Sequence, residues 1–158
     1  MAWAAALCFA VGVAVYANSL EGDLVFDDVM AITQNQDVVG ASTSLGAIFA
    51  HDYWGTNMSS PTSHKSYRPL TVLSFRFNFL HGGLQPRGYH AVNVLLHGAV
   101  SALVFVLAAS ELVALRPSAA LAAGLLFAVH PVHTEAVAGI VGRAELLAAR
   151  CRNTRGCQ

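Results

Sequence analysis

Apolar positions along the chain gather into three charge-free runs, separated by one long stretch of mixed polar and aromatic residues. Residues 1–20 carry no charged side chain, and Trp3 to Ala17 is uniformly apolar or small. As a helix this segment spans about 23 Å at ~1.5 Å per residue, slightly less than the ~27 Å hydrocarbon layer of a thin bilayer. Residues 91–110 again contain no Asp, Glu, Lys or Arg and are closed by Glu111, a length that crosses a membrane. Ser118 to Val129 is also uncharged, nearer the length of a buried helix, with Pro117 where a first helical turn accepts it. The pattern predicts an all-α membrane protein with about three transmembrane helices, at 1–18, 89–115 and 117–131. A cleavable signal peptide is the alternative for the first run, because its length fits and Val15-Tyr16-Ala17 is a tolerable cleavage site. A basic leading segment is missing, however, and the anchor is preferred. That missing segment also predicts a natural N-terminus further upstream.

Residues 19–88 form the long connection. Leu45, Ile48 and Phe49 fall at helical spacing within Ser42 to Phe49, and Tyr53-Trp54 is an aromatic pair of the kind placed at membrane interfaces. Ser59 to Ser63, with Pro61 inside it, is a turn-like polar run. Asn57-Met58-Ser59 is a glycosylation acceptor triplet, meaningful only if this segment is luminal. In Arg68 to Leu80, Leu70, Leu73, Phe77 and Leu80 share one helical face with Arg76 at its edge, which predicts an amphipathic helix lying in the interface. A buried core helix is the other reading.

Composition sharpens the class. The chain is 55% apolar and 11% charged, against about a quarter charged in soluble domains, and its 158 residues suit one domain. Nine basic and nine acidic residues balance, so the basic footprint of a nucleic-acid binder is absent. Arg116, in the connection between the second and third runs, places that connection in the cytosol by the positive-inside rule. The 19–88 segment is then luminal, and Asp27, Asp28 and the His130–Glu135 segment fall on the same side.

Chemistry concentrates in two acidic groups. Asp27 and Asp28 follow the first run within Val25-Phe26-Asp27-Asp28, and Glu135 follows His130-Pro-Val-His-Thr. Between them lies a basic and aromatic cluster of His64, Lys65, Tyr67 and Arg68. Acids and fixed cations at a membrane surface suit transfer from a lipid-linked phosphate donor. A carboxylate would take the proton from an acceptor hydroxyl, and cations would stabilise the charge developing on the leaving phosphate. The structural alternatives are a helix N-cap for the aspartates and lipid-headgroup contacts for Lys65 and Arg68. His130 and His133 with one Glu are compatible with zinc, but Pro131 between them and the apolar approach argue against it. They are kept as supporting polar groups, and no metal is assigned. His90 and His97 suit polar contacts between helices. Cys8 lies in a span and is inert. Cys151 and Cys157 could pair in an oxidising lumen, although two tail cysteines make no disulfide framework.

Taken together, VFDD at 25–28, NQD at 35–37, DYWGT at 52–56, HKSYRPLTVLSFR at 64–76 and HPVHTEAVAGIVGRAELLA at 130–148 resemble one family. It is the transmembrane and tetratricopeptide-repeat-containing family of endoplasmic-reticulum O-mannosyltransferases, and the likeness runs from about Val15 to Ala148. The resemblance implies the N-terminal part of a membrane glycosyltransferase bundle of the GT-C type, with interfacial helices in its first luminal loop. It further implies a multi-pass protein of the endoplasmic-reticulum membrane, dolichyl-phosphate mannose as donor, and Ser and Thr hydroxyls of luminal proteins, cadherins among them, as acceptors. Asp27 and Asp28 match the first acidic motif and Glu135 the acid of the second. The residues do not separate the two aspartates as base, and Asp28 is the preference here. Lys65 and Arg68, with Arg143 as a further candidate, are read from their charge as donor-phosphate contacts. The residues leave the need for a divalent metal open.

The chain also departs from the family pattern. Where the family continues into another apolar span, residues 150–158 read RCRNTRGCQ. Three arginines there disfavour membrane insertion at roughly 2.5–3.5 kcal/mol each at mid-membrane, and no repeat of about 34 residues follows. The expectation is a divergent polar tail after a second luminal acidic segment at 132–149, in a truncated form with little or no transferase activity of its own. A non-catalytic, membrane-anchored binding or tethering isoform is the alternative reading.

Overall fold

A computed structural model describes residues 1–110 and 113–155, with side chains described through 149. Its elements in chain order are α1 (Ala2–Val15), a 3-10 turn (Ala17–Glu21), a π-helical turn (Val29–Thr33), α2 (Gln36–Val39), α3 (Leu45–Ile48), α4 (Pro69–Gly82), α5 (Pro86–Ala109), α6 (Pro117–Val129), a 3-10 turn (Pro131–His133), α7 (Thr134–Ala138), a second 3-10 turn (Ile140–Gly142) and α8 (Arg143–Arg155). No β-strand occurs among the described residues, only an isolated bridge between His51 and Asn57. Glu111 and the side chains of Arg150, Cys151, Arg152, Arg155 and Cys157 lie outside the described residues. The chain divides into two compact units, Met1–Gly22 with His90–Gln158, and Asp23–Tyr89.

In the first unit α1 packs on α6, and Ala4, Cys8, Phe105, Ala108 and Ala120 form one buried cluster. Small residues set the spacing. A Cβ on Gly98 would lie 2.8 Å from Val13 and 2.9 Å from the Phe9 carbonyl oxygen, and one on Gly124 would lie 2.7 Å from the Cys8 sulfur. Close approach of this kind is how apolar helices gain contact where lipid removes the hydrophobic drive to associate. A second cluster joins Tyr16, Val94, Val137 and Leu146. Along α5, His90, Asn93, His97 and Ser101 recur every three or four residues and are all buried, a polar stripe on one helix face.

Among the described residues α5 alone is long and apolar enough to cross a membrane; α6 and the following segment to Ala138, bent by 45°, pass that test only as a pair. Of the three expected spans, the second passes this test by itself and the third passes only with the bent pair, while α1, at 14 residues, is a shorter apolar helix. The helix ends differ from expectation for local reasons. The Ser19 hydroxyl donates to the Tyr16 carbonyl within the 3-10 turn, so α1 stops at Val15. Pro86 opens α5 earlier than residue 89, and the helix ends at Ala109, well before 115. Pro131 holds His130 extended, which ends α6 at Val129.

In the second unit α2 and α3 pack on α4. The Ser44 hydroxyl accepts from the Ala47 amide and caps α3, and that helix covers only the middle of the predicted 42–49 stretch. Thr71, Val72 and Phe75 form the inward face of α4, whereas Leu70, Phe77 and Leu80 are exposed. The helix is apolar on two sides, one against its own unit and one outward, rather than amphipathic. Tyr53 is also displaced from its predicted interfacial role. It is 2% exposed, because its ring packs against Trp54 and Phe75 at 5.1 and 6.2 Å and its amide donates to the Ser66 carbonyl.

Candidate functional site

The first acidic motif forms a tight turn. The amides of Asp28 and Val29 donate to the carbonyls of Val25 and Phe26, and Phe26 adopts φ +49° with its ring 92% exposed. A left-handed conformation costs a residue with a Cβ about 1–2 kcal/mol, and such positions concentrate at functional turns. The turn treats the two acids differently. Asp28 is 2% exposed, and its Oδ2 accepts from the Val25 amide at 3.3 Å. Asp27 is exposed. Asp28 thus helps to build the turn, while Asp27 is the exposed carboxylate of the pair.

The NQD and DYWGT motifs hold the same unit together. Asn35 Oδ1 accepts from the Asp37 amide at 2.9 Å, and its Nδ2 donates to the Tyr53 carbonyl at 3.1 Å. The buried Asp37 carboxylate lies 2.9 Å from His51 Nδ1, and Arg76 donates to the Asp37 carbonyl at 3.1 Å. Asp52, also buried, accepts from the Trp54, Thr56 and His64 amides and from the Ser63 hydroxyl. Burial alone pushes its carboxyl up, but the Ser63 hydroxyl and the amides of Thr56, Trp54 and His64 outweigh that and hold it below the ordinary carboxylate value.

Two of the proposed phosphate contacts have structural partners. Lys65 donates from Nζ to the carbonyls of Met58 and Ser60, bracing the turn between them. Arg143 is fully buried and donates from Nε to Asn93 Oδ1 at 2.8 Å. The exposed Arg68 sits with its guanidinium carbon 5.2 Å above the Tyr53 ring, a cation–π contact.

The second acidic motif belongs to the other unit. Glu135 is exposed in the first turn of α7. Tyr16 donates from its hydroxyl to the His130 carbonyl at 3.2 Å, and His130 Nδ1 accepts from the Val132 amide. The His133 ring lies 4.1 Å from Phe127 and 5.4 Å from His97. His97 Nε2 reaches the Ala128 carbonyl at 3.0 Å, the interhelical contact expected of it, whereas neither ring nitrogen of buried His90 has a hydrogen-bond partner among the described residues. Behind Glu135, Asn93 Nδ2 points at the carbonyls of Val137, Gly139 and Ile140, at 3.1–3.4 Å. No group of three His, Cys, Asp or Glu side chains converges among the described residues.

Comparison with known proteins decides the family. The chain is 52% identical to human protein O-mannosyl-transferase TMTC4 over 93% of its length. It is 51% identical to Drosophila melanogaster protein O-mannosyl-transferase Tmtc1 over 91%, and 52% identical to human protein O-mannosyl-transferase TMTC3 over 90%. The chain belongs to the TMTC family. It spans 21%, 16% and 15% of these three relatives. No protein-family model and no solved structure matches it.

Three features of this TMTC segment escaped sequence reasoning. Asn93 sits inside an apolar run where an amide looks incidental, yet it ties α5 to the Glu135 segment. Arg143 carries a charge that suggested a ligand, but its partner lies fifty residues away. The Asp37–His51 pair joins the NQD motif to the residue just before DYWGT, which the sequence shows only as separate patches. The one available signal was the three- and four-residue recurrence of His90, Asn93, His97 and Ser101 within an uncharged run.

Proposed function

We propose that the complete protein transfers mannose from dolichyl-phosphate mannose to Ser and Thr hydroxyls of luminal proteins, cadherins among them, in the endoplasmic-reticulum membrane. The single observation that carries this reading is the identity of about 50% to proteins named protein O-mannosyl-transferases across nearly all of this chain. Because the chain covers about a fifth of those relatives or less, activity is assigned to the whole protein. The 158-residue chain alone is expected to turn over little or no donor.

Asp27 is the general base in this reading. Its exposure favours it over Asp28, whose oxygen is engaged within the turn. The carboxylate takes the acceptor hydroxyl proton, the acceptor oxygen forms a bond to C1 of mannose, and the bond from C1 to the phosphate oxygen breaks as lipid phosphate leaves. A base placed for such a step contributes about 10²–10⁴-fold. Arg68, exposed and held over the Tyr53 ring, is the cation best able to meet the departing phosphate. Lys65 and Arg143 become structural residues. Glu135 is the second acid by resemblance, and His130 and His133 shape its approach.

The test is alanine substitution at Asp27, Asp28 and Glu135 in the complete protein, assayed for mannose transfer to an acceptor peptide. A transferase loses turnover in the Asp27 and Glu135 variants, while a non-catalytic tether binds its partners unchanged through all three.

A further inference from the structure

We propose that Asn57 is an N-glycosylation site, taking an oligosaccharide from a lipid-pyrophosphate donor. The proposal rests on the luminal placement of the Asp23–Tyr89 unit within the reading above. Asn57-Met58-Ser59 is the one Asn-X-Ser/Thr triplet in the 158 residues, and its middle residue is not proline, as the acceptor pattern requires.

The geometry offers the acceptor atom outward. Asn57 and Ser59 are both exposed. Asn57 Oδ1 accepts from the Ser59 amide at 2.8 Å, which fixes the side-chain oxygen towards the turn and leaves Nδ2 on the solvent side. No hydrogen bond from Nδ2 occurs among the described residues, so a sugar attached there displaces no intramolecular contact. The backbone beneath is held from the inner side. The Met58 amide donates to the Ala50 carbonyl at 2.9 Å, the Ser60 amide to the Asn57 carbonyl at 2.9 Å, and Lys65 Nζ bridges the carbonyls of Met58 and Ser60. Ser60 and Thr62 hydroxyls meet at 2.8 Å on the following turn. A bulky glycan is therefore accommodated with the fold intact, as modification sites on exposed loops require.

In the transfer, the bond between C1 of the first sugar and the pyrophosphate oxygen breaks. A bond from C1 to Asn57 Nδ2 forms, one amide proton leaves to the transferring enzyme, and the lipid pyrophosphate departs. Lys65 thus braces the turn that carries the acceptor.

The experiment expresses this chain in mammalian cells and compares its mobility before and after peptide:N-glycosidase treatment. Wild type is expected to shift by one glycan. Asn57→Gln and Ser59→Ala should abolish the shift, and Ser59→Thr should retain it. Ala41→Asn, which makes a new triplet at residues 41–43 of the same unit, with Ala41 and Ser42 exposed, is added to Asn57→Gln as a topology control. A control that shifts beside an unshifted wild type would overturn the Asn57 site while leaving the unit luminal. If neither shifts, the luminal placement fails and the proposal with it.

Discussion

Arg143 Nε and Asn93 Oδ1 meet at 2.8 Å with both side chains out of solvent. The contact links the start of α8 to the polar stripe of α5, and through Asn93 Nδ2 to the carbonyls that follow Glu135. Buried polar groups persist when each finds a partner, and here one amide serves a guanidinium and three carbonyls. Its role is to position the Glu135 segment.

Removing that amide should be costly. Asn93→Ala is expected to lower stability by roughly 1–3 kcal/mol for each buried group left without a partner, read as a fall in the thermal midpoint of the detergent-solubilised protein. Arg143→Lys, which removes the Nε donor, should reproduce part of the loss. An unchanged midpoint in Asn93→Ala would show that the node is dispensable.

Asp52 predicts a pH dependence. Its folded-state value lies below the ordinary one, so the unfolded chain takes up the proton first. Its contribution to stability is complete above pH ~4, near the ordinary carboxylate value, and is lost as pH falls through the lower folded value. Asp52→Asn should therefore lower the thermal midpoint at pH 7 and flatten its decline on acidification below pH 4. Parallel declines in variant and wild type would refute this.

Close packing between α1, α5 and α6 gives a steric prediction. Gly98→Leu and Gly124→Val should each destabilise by roughly 1–3 kcal/mol through overpacking. Gly46→Ala, whose added Cβ meets nothing nearer than the Ser44 hydroxyl at 4.0 Å, should be tolerated. The comparison is made by thermal midpoint and by recovery from the membrane fraction.

Much of the fold was legible because it rests on composition and proline. Pro117 marks the start of α6, and the uncharged run from 91 to 110 the body of α5. The acidic turn was legible as a motif, but the division of labour between Asp27 and Asp28 was not. It depends on Phe26 entering the left-handed region, which no spacing rule anticipates. Tyr53 looked interfacial because aromatic pairs sit at membrane surfaces; its burial depends on Phe75, two turns into a helix more than fifteen residues later. Charge did not disclose the intramolecular partners of Lys65 and Arg143, since a cation's partners can be backbone carbonyls or a distant amide that no local pattern displays.

The most direct test of the central claim is the initial rate of mannose transfer from dolichyl-phosphate mannose to an acceptor peptide by the complete protein. Asp27→Asn and Asp28→Asn are compared, each alongside its thermal midpoint. The account predicts that Asp27→Asn loses about 10²–10⁴-fold in rate, the contribution of a general base, with its midpoint unchanged, and that Asp28→Asn shows a lowered midpoint from the weakened turn. A wild-type rate in Asp27→Asn, with Asp28→Asn inactive and fully stable, would contradict it.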